Sequence, residues 1–106
     1  MALTRDFKTS IQSRARRDPA FRRALLKEGF ECFLAGEMET GKTVLRDYIN
    51  ATIGFEELAA MTRRSPKSLM RMLGPAGNPQ ARNLFEIMDC LQRQEGVRLE
   101  LRAARR

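Results

Sequence analysis

The chain has no histidine or tryptophan and only two cysteines among its 106 residues. Without histidine, Ser–His and Cys–His catalytic pairs and the zinc-protease motif are excluded. The two cysteines, Cys32 and Cys90, are too few for a four-ligand zinc site. We therefore predict that the protein is not an enzyme and that it has no catalytic residue, metal site or cofactor.

Long apolar runs are also absent. The longest ones, 32–35 and 58–61, fall far short of the roughly 18–20 residues that a membrane span needs. No apolar stretch near Met1 resembles a signal peptide. These features predict a cytoplasmic protein without a membrane partner, in which Cys32 and Cys90 are buried, reduced thiols.

Basic residues are in excess. Lys and Arg total 20 against 13 for Asp and Glu, so the net charge is +7. With 42% apolar and 31% charged residues the chain should fold, and a polyanion is the expected partner. In the segment 55–82, the only acids are Glu56 and Glu57 at its start, and five cations follow without an acid among them. A second basic cluster, 14–23, is interpreted as a solvated helix face.

Hydrophobic periodicity predicts six helices, of which three precede residue 55. The signals for these three are a cap at Thr4 or Asp6 with an end near Arg17, an Asp18-Pro19 start with an end near Ala35, and a Thr40-Gly41 start with an end at Gly54.

Three further helices follow. The sequence predicts a short helix from Phe55 to about Met61, then a turn, then a helix with Ser65 as N-cap, Pro66 at its first position and Gly74 as terminator. The segment 74–79 is a loop by composition, and the last helix spans about 80–94.

The spacing of apolar residues changes in the C-terminal tail, residues 97–106. Val97, Leu99 and Leu101 alternate with charged residues, which is a strand pattern. A single strand has no partner for its backbone groups. The tail therefore pairs with a second copy, pairs with another protein, or continues the last helix.

The spacing from Phe55 to Met72 is typical of a helix-turn-helix, with Leu58, Leu69 and Met72 filling the space between the two helices. Ala59 is small because the two helices cross close to it. The second helix would then enter the major groove. We expect its residues Lys67, Ser68 and Arg71 to read bases. The residues expected to contact phosphates are Arg63, Arg64, Ser65, Asn78 and Arg82. The alternative is a plain helical hairpin with exposed Lys and Arg.

The segments 55–62, 65–73 and 77–79 resemble the Cro/C1 (Xre) class of helix-turn-helix domain. More narrowly, the chain resembles the addiction-module antidote proteins, which are HigA-like antitoxins of type II toxin–antitoxin pairs. The motifs that carry this resemblance are Asp18-Pro19, Leu45-Arg46-Asp47, Leu73-Gly74-Pro75-Ala76-Gly77-Asn78-Pro79 and Val97-Arg98-Leu99. One departure is Arg63, which stands at a turn position usually held by glycine. A left-handed conformation there would cost about 1 kcal/mol.

The resemblance implies an all-α, λ-repressor-like domain with N-terminal helices and a short C-terminal strand. We expect a single domain over 1–106, with an N-terminal helical extension (1–36), a helix-turn-helix core (40–95) and a strand-like tail (97–106). It also implies a homodimer that represses transcription from its own operator in double-stranded DNA and neutralises a small RelE-like, mRNA-cleaving toxin. The alternatives are a stand-alone or phage-type repressor and a protein-binding adaptor without DNA binding.

The segment 36–43 literally matches the P-loop pattern of nucleotide-binding proteins. That motif needs a preceding buried strand, whereas 25–35 has a helical pattern, and Glu37 and Glu39 would lie where phosphate should bind. We therefore expect no nucleotide binding, and we interpret Thr40 as the cap of the third helix.

Overall fold

The computed structural model describes residues 5–106, with side chains from Phe7 onward, and these residues form six helices and no strand. The all-α prediction is confirmed. The helices are α1 (Arg5–Arg17), α2 (Pro19–Leu34), α3 (Met38–Ala51), α4 (Gly54–Thr62), α5 (Pro66–Met72) and α6 (Ala81–Glu95).

One apolar core receives side chains from all six helices. Its fully buried members include Leu26 of α2, Leu45 of α3, Leu58 of α4, Leu69 of α5 and Ile87 of α6. Burying a side chain of this size contributes about 1.5–3 kcal/mol. The N-terminal helices α1–α3 and the later helices α4–α6 therefore share one core.

The predicted start of α2 is confirmed. The Asp18 carboxylate accepts a hydrogen bond from the Phe21 N–H at 3.2 Å, and Pro19 occupies the first turn. The α2 and α3 helices approach closely where Gly41 contacts the ring of Phe33. A Cβ atom at Gly41 would lie 2.6 Å from Phe33 Cε1, so a larger residue at this position would have to displace the Phe33 ring.

The predicted start of α3 is wrong by three residues. The helix begins at Met38 with Glu37 as N-cap, so Thr40 lies inside the helix and does not cap it. The P-loop-like residues Gly41 and Lys42 are consequently helical and buried. For α1, Asp6 is the second helical residue and is not its cap, while Thr4 lies outside the described residues.

The boundary between α3 and α4 also differs from the prediction. The α3 helix ends at Ala51, and Gly54, with φ +80°, is the first residue of α4. Gly54 was expected to end the third helix, and it instead turns the chain into the next one. Because glycine accepts a positive φ without strain, it suits this corner.

Helices α4 and α5 are joined by a connection of three residues, Arg63 to Ser65. Leu58, Ala59 and Leu69 are buried in the core, whereas Met72, which was expected to fill the same space, is only partly buried against it.

The expected C-terminal strand is absent from the described chain, as is the alternative of a longer last helix. Gly96 ends α6 with φ 74°, and residues 97–106 have no regular structure. The alternation has a different physical cause. Val97 and Leu99 pack against the core, the Leu99 N–H donates to Gln92 Oε1 at 2.8 Å, and Leu101 is 81% exposed.

Cys32 and Cys90 are both buried and unpaired, as expected. Burial raises the pKa of each thiol, and nearby acids raise it further. Neither cysteine is therefore poised as a thiolate. Within residues 5–106, no helix is both long enough and apolar enough to cross a bilayer.

Candidate nucleic-acid interface

The α5 helix has one buried side and one exposed side. Leu69 is fully buried, whereas Lys67, Met70 and Arg71 are exposed. Lys67 and Arg71 are four residues apart and therefore lie on the same side of the helix. Neither side chain makes a hydrogen bond or ion pair within residues 7–106. Their charges therefore remain available to a ligand.

The N-terminus of α5 is fixed by the predicted cap. Ser65 Oγ accepts a hydrogen bond from the Ser68 N–H at 3.1 Å, and Pro66 occupies the first turn. A serine cap contributes about 1 kcal/mol. Because its hydroxyl already accepts this bond, Ser65 holds the helix in place, and only its hydroxyl hydrogen is left for an external acceptor.

Arg63 adopts the left-handed conformation that its position in the turn demands, with φ 57° and ψ 44°. It is the only residue other than glycine with a positive φ in the described chain. The backbone amides of Arg63 and Arg64 donate to Ala60 and Ala59, which closes the end of α4. The Arg63 side chain is exposed.

Arg64 differs from Arg63 because other residues of the protein bind the Arg64 side chain. Its Nη2 donates to Asn83 Oδ1 at 2.8 Å and forms an ion pair with Glu86 at 2.5 Å. Its Nε is buried without a hydrogen-bond partner. Arg64 thus joins the turn to α6, and a phosphate would have to compete with Glu86 for it.

The remaining expected phosphate ligands are Asn78 and Arg82. Both are exposed, Asn78 in the loop after α5 and Arg82 at the second position of α6. Between Leu58 and Phe85 the sequence has five cations and no acid. Since Glu86 pairs with Arg64, this region presents four unneutralised cations: Arg63, Lys67, Arg71 and Arg82.

Two cations of α3 hold the opposite end of α5. Lys42, only 2% exposed, donates to Gly74 O at 3.0 Å and Gly77 O at 2.7 Å, and it pairs with Glu39 at 2.9 Å. Arg46 Nη1 donates to Leu73 O at 2.9 Å. These bonds tie α3 to carbonyl groups of the C-cap residue of α5 and of the loop that follows it.

Gly77 lies against the last turn of α5. A Cβ atom there would be 2.1 Å from Arg71 O and 2.5 Å from Met72 O, so the loop closes on the helix only with glycine at this position. The loop motif that carries the family resemblance therefore anchors α5. The position of α5 in turn fixes the direction in which Lys67 and Arg71 point.

A second polar cluster joins the N-terminal helices to α6. Arg22 Nε donates to both Glu95 carboxylate oxygens, at 2.8 and 3.0 Å, and the Tyr48 hydroxyl donates to Oε1. Burial alone would raise the pKa of Glu95. The hydrogen bonds from Arg22 and Tyr48 outweigh this effect, so the pKa lies below its ordinary value. Burial, together with the bond to Glu95, raises the pKa of Tyr48.

The roles of Lys42 and Glu95 were not predicted from the sequence, although a signal exists for both. Lys42 is three residues before Leu45 and seven before Ile49, which places it on the buried side of α3. Glu95 stands four residues after Leu91, on the buried side of α6. A charged residue at a core position predicts an internal hydrogen-bond partner.

No known protein-family model matches the chain, and neither does any curated protein or solved structure.

Proposed function

We propose that the chain is a sequence-specific DNA-binding repressor in which α4 and α5 form a helix-turn-helix. The observation that carries the proposal is the exposed face of α5. Lys67 and Arg71 lie there without a partner among residues 7–106, on a helix fixed at its N-terminus by Ser65 and at its C-terminus by Lys42. A rigid helix with free cations suits readout of guanine edges in the major groove.

The proposed complex is a homodimer on a pseudo-palindromic operator. Two copies of α5 would enter successive major grooves about 34 Å apart. Lys67, Ser68 and Arg71 would contact bases, and Arg63, Ser65, Asn78 and Arg82 would contact phosphates. Arg64 would contribute to phosphate binding only through the guanidinium N–H groups that its ion pair with Glu86 leaves free.

The test is fluorescence anisotropy with DNA from upstream of the chain's own gene, at several salt concentrations. We expect Arg71→Ala to weaken operator binding by about 1–3 kcal/mol and to relax specificity at one base pair in each half-site. Arg82→Ala should weaken binding equally on all sequences and reduce the salt dependence. If both variants act alike on operator and random DNA, the assignment of base and phosphate contacts is wrong.

The resemblance to antidote proteins extends this proposal to an antitoxin, which would bind and neutralise a small RelE-like toxin. Co-expression of the chain with the product of the adjacent open reading frame tests this role. A stable complex that suppresses mRNA cleavage is the expected result. Without one, the chain would be a stand-alone or phage-type repressor. If neither DNA nor a toxin binds, the adaptor alternative gains support.

A further inference from the structure

Three arginines from two helices surround one open cavity beside the end of α3. The cavity has a volume of about 370 Å³, and it is lined by Arg16 of α1, by Arg22 and Arg23 of α2, and by Glu95 at the end of α6. Ile53, the residue immediately before α4, also contributes to its wall. The cavity thus lies at the N-terminal end of the first proposed DNA-binding helix.

The positive charge of this cavity is only partly neutralised. Its one acid, Glu95, is 4% exposed, and both of its oxygens already accept hydrogen bonds from Arg22. Arg23 is 54% exposed and reaches Glu95 only at 3.7 Å. Arg16 is exposed and makes no ion pair or hydrogen bond in the part of the chain described. The guanidinium groups of Arg16 and Arg23 therefore keep most of their donors free.

The backbone at the start of α4 adds a partial positive charge beside the cavity, which Glu56 and Glu57 in the first turn offset. The N-cap of α4 is Ile53, whose side chain cannot accept a hydrogen bond from the first-turn amides. The N-terminus of a helix carries about half a unit of positive charge. The acids of the first turn, Glu56 and Glu57, are exposed and do not line the cavity.

We propose that Arg16, Arg22 and Arg23 form a site for a phosphate group of the DNA backbone. The planar guanidinium fork matches phosphate oxygens, and the cavity has no exposed aromatic ring on which a base could stack. This inference rests on the proposed function, because the first helix of a helix-turn-helix crosses the DNA backbone. With nine residues, α4 is about 13 Å long. The site and Arg63 therefore lie near opposite ends of α4, roughly 13 Å apart, so they would contact different phosphate groups.

The experiment compares Arg16→Ala and Arg23→Ala with Arg17→Ala, which removes the same charge from an exposed position of α1 outside the cavity. Arg22 stays unchanged because it also holds Glu95. Anisotropy with operator and random duplexes should show a three- to tenfold loss of affinity for each cavity variant, on both sequences, with a salt slope lower by about one. Arg17→Ala should change the slope less, and Arg16→Lys should restore it. Thermal unfolding verifies that each variant folds.

A second measurement follows the backbone amides of Thr52, Ile53 and Gln94 by NMR during titration with operator DNA, inorganic pyrophosphate or a hexaglutamate peptide. We expect DNA to shift these resonances in the wild type but not in the Arg16→Ala/Arg23→Ala double variant. Shifts with pyrophosphate alone would assign the site to free phosphate, and shifts with the peptide alone would assign it to an acidic protein segment. Either result overturns the inference.

If the salt slopes of the cavity variants are unchanged while Arg71→Ala still weakens operator binding, this inference fails and the proposed function stands. If the wild type binds no DNA, both fail.

Discussion

Two Lys–Arg pairs with the same spacing have opposite surroundings. Lys42 and Arg46 of α3 are four residues apart, as are Lys67 and Arg71 of α5. The first pair donates three hydrogen bonds to backbone carbonyls of the loop that follows α5. The second pair binds no group of residues 7–106. The α3 pair therefore positions the helix from which the α5 pair projects, so that one pair provides stability and the other is available for recognition.

The largest expected effect is on the α3 pair. Lys42→Met removes the donor for two loop carbonyls at a site only 2% exposed, and we expect it to cost about 3 kcal/mol of unfolding free energy. Urea unfolding measures this loss. A stability within about 0.5 kcal/mol of the wild type would show that water or the relaxed loop replaces the ammonium group, and the contrast between the two pairs would lose its basis.

A smaller loss of stability is expected at Glu95, which joins Arg22 and Tyr48 to the end of α6. Glu95→Gln should cost about 2 kcal/mol at pH 7, because it leaves the Arg22 guanidinium with a neutral partner. The folded-state pKa of Glu95 is lowered below its ordinary value of 4.5. Its ionic contribution is therefore complete above that value and disappears as the pH falls through the folded-state pKa.

Urea unfolding of the wild type and the Glu95→Gln variant at pH 7 and at about pH 3 tests this sign. The difference between the two proteins should shrink in acid. A gap that stays constant or widens as the pH falls would show that the carboxylate charge contributes nothing to the stability.

A gain of stability is expected at the turn. Arg63→Gly relieves the left-handed backbone at φ 57°, and it should raise the free energy of unfolding by about 1 kcal/mol. The same change removes one exposed cation and should weaken DNA binding without changing sequence preference. Unfolding and anisotropy measurements on one variant separate the two effects. A loss of stability would indicate that the Arg63 side chain has a structural role.

The smallest effect on stability is expected on the α5 pair. Lys67→Met matches the Lys42→Met substitution and should change the free energy of unfolding by less than about 0.5 kcal/mol, because the side chain is exposed and unpartnered. Its effect should instead appear as weaker operator binding. A large loss of stability with unchanged binding would reverse the roles assigned to the two pairs.

Much of the fold could be predicted from local signals. Asp18-Pro19 and Ser65-Pro66 mark the starts of α2 and α5, since capping depends on residues close in sequence. The burial of Leu58, Ala59 and Leu69 follows from their spacing. The start of α3 was harder to predict because Glu37 caps it without a side-chain hydrogen bond.

The roles of individual cations could not be predicted in this way. Arg63 and Arg64 are adjacent and look equivalent in the sequence, yet only Arg64 reaches Glu86, which lies 22 residues further along the chain. The role of Lys42 likewise depends on carbonyls 32 and 35 residues away. The tail shows a related limit, because the alternation at 97–101 reflects packing of Val97 and Leu99 against the core in a segment without strand pairing.

The ion pair between Arg22 and Glu95 also bears on how the protein is made. Its members are 73 residues apart, and Glu95 is the last residue of α6. At about 5–20 residues per second, a ribosome needs roughly 4–15 s to synthesise the chain between them. During that interval the nascent N-terminal helices lack the carboxylate that later binds them. The N-terminal helices should therefore reach their final arrangement only after Glu95 has left the ribosome.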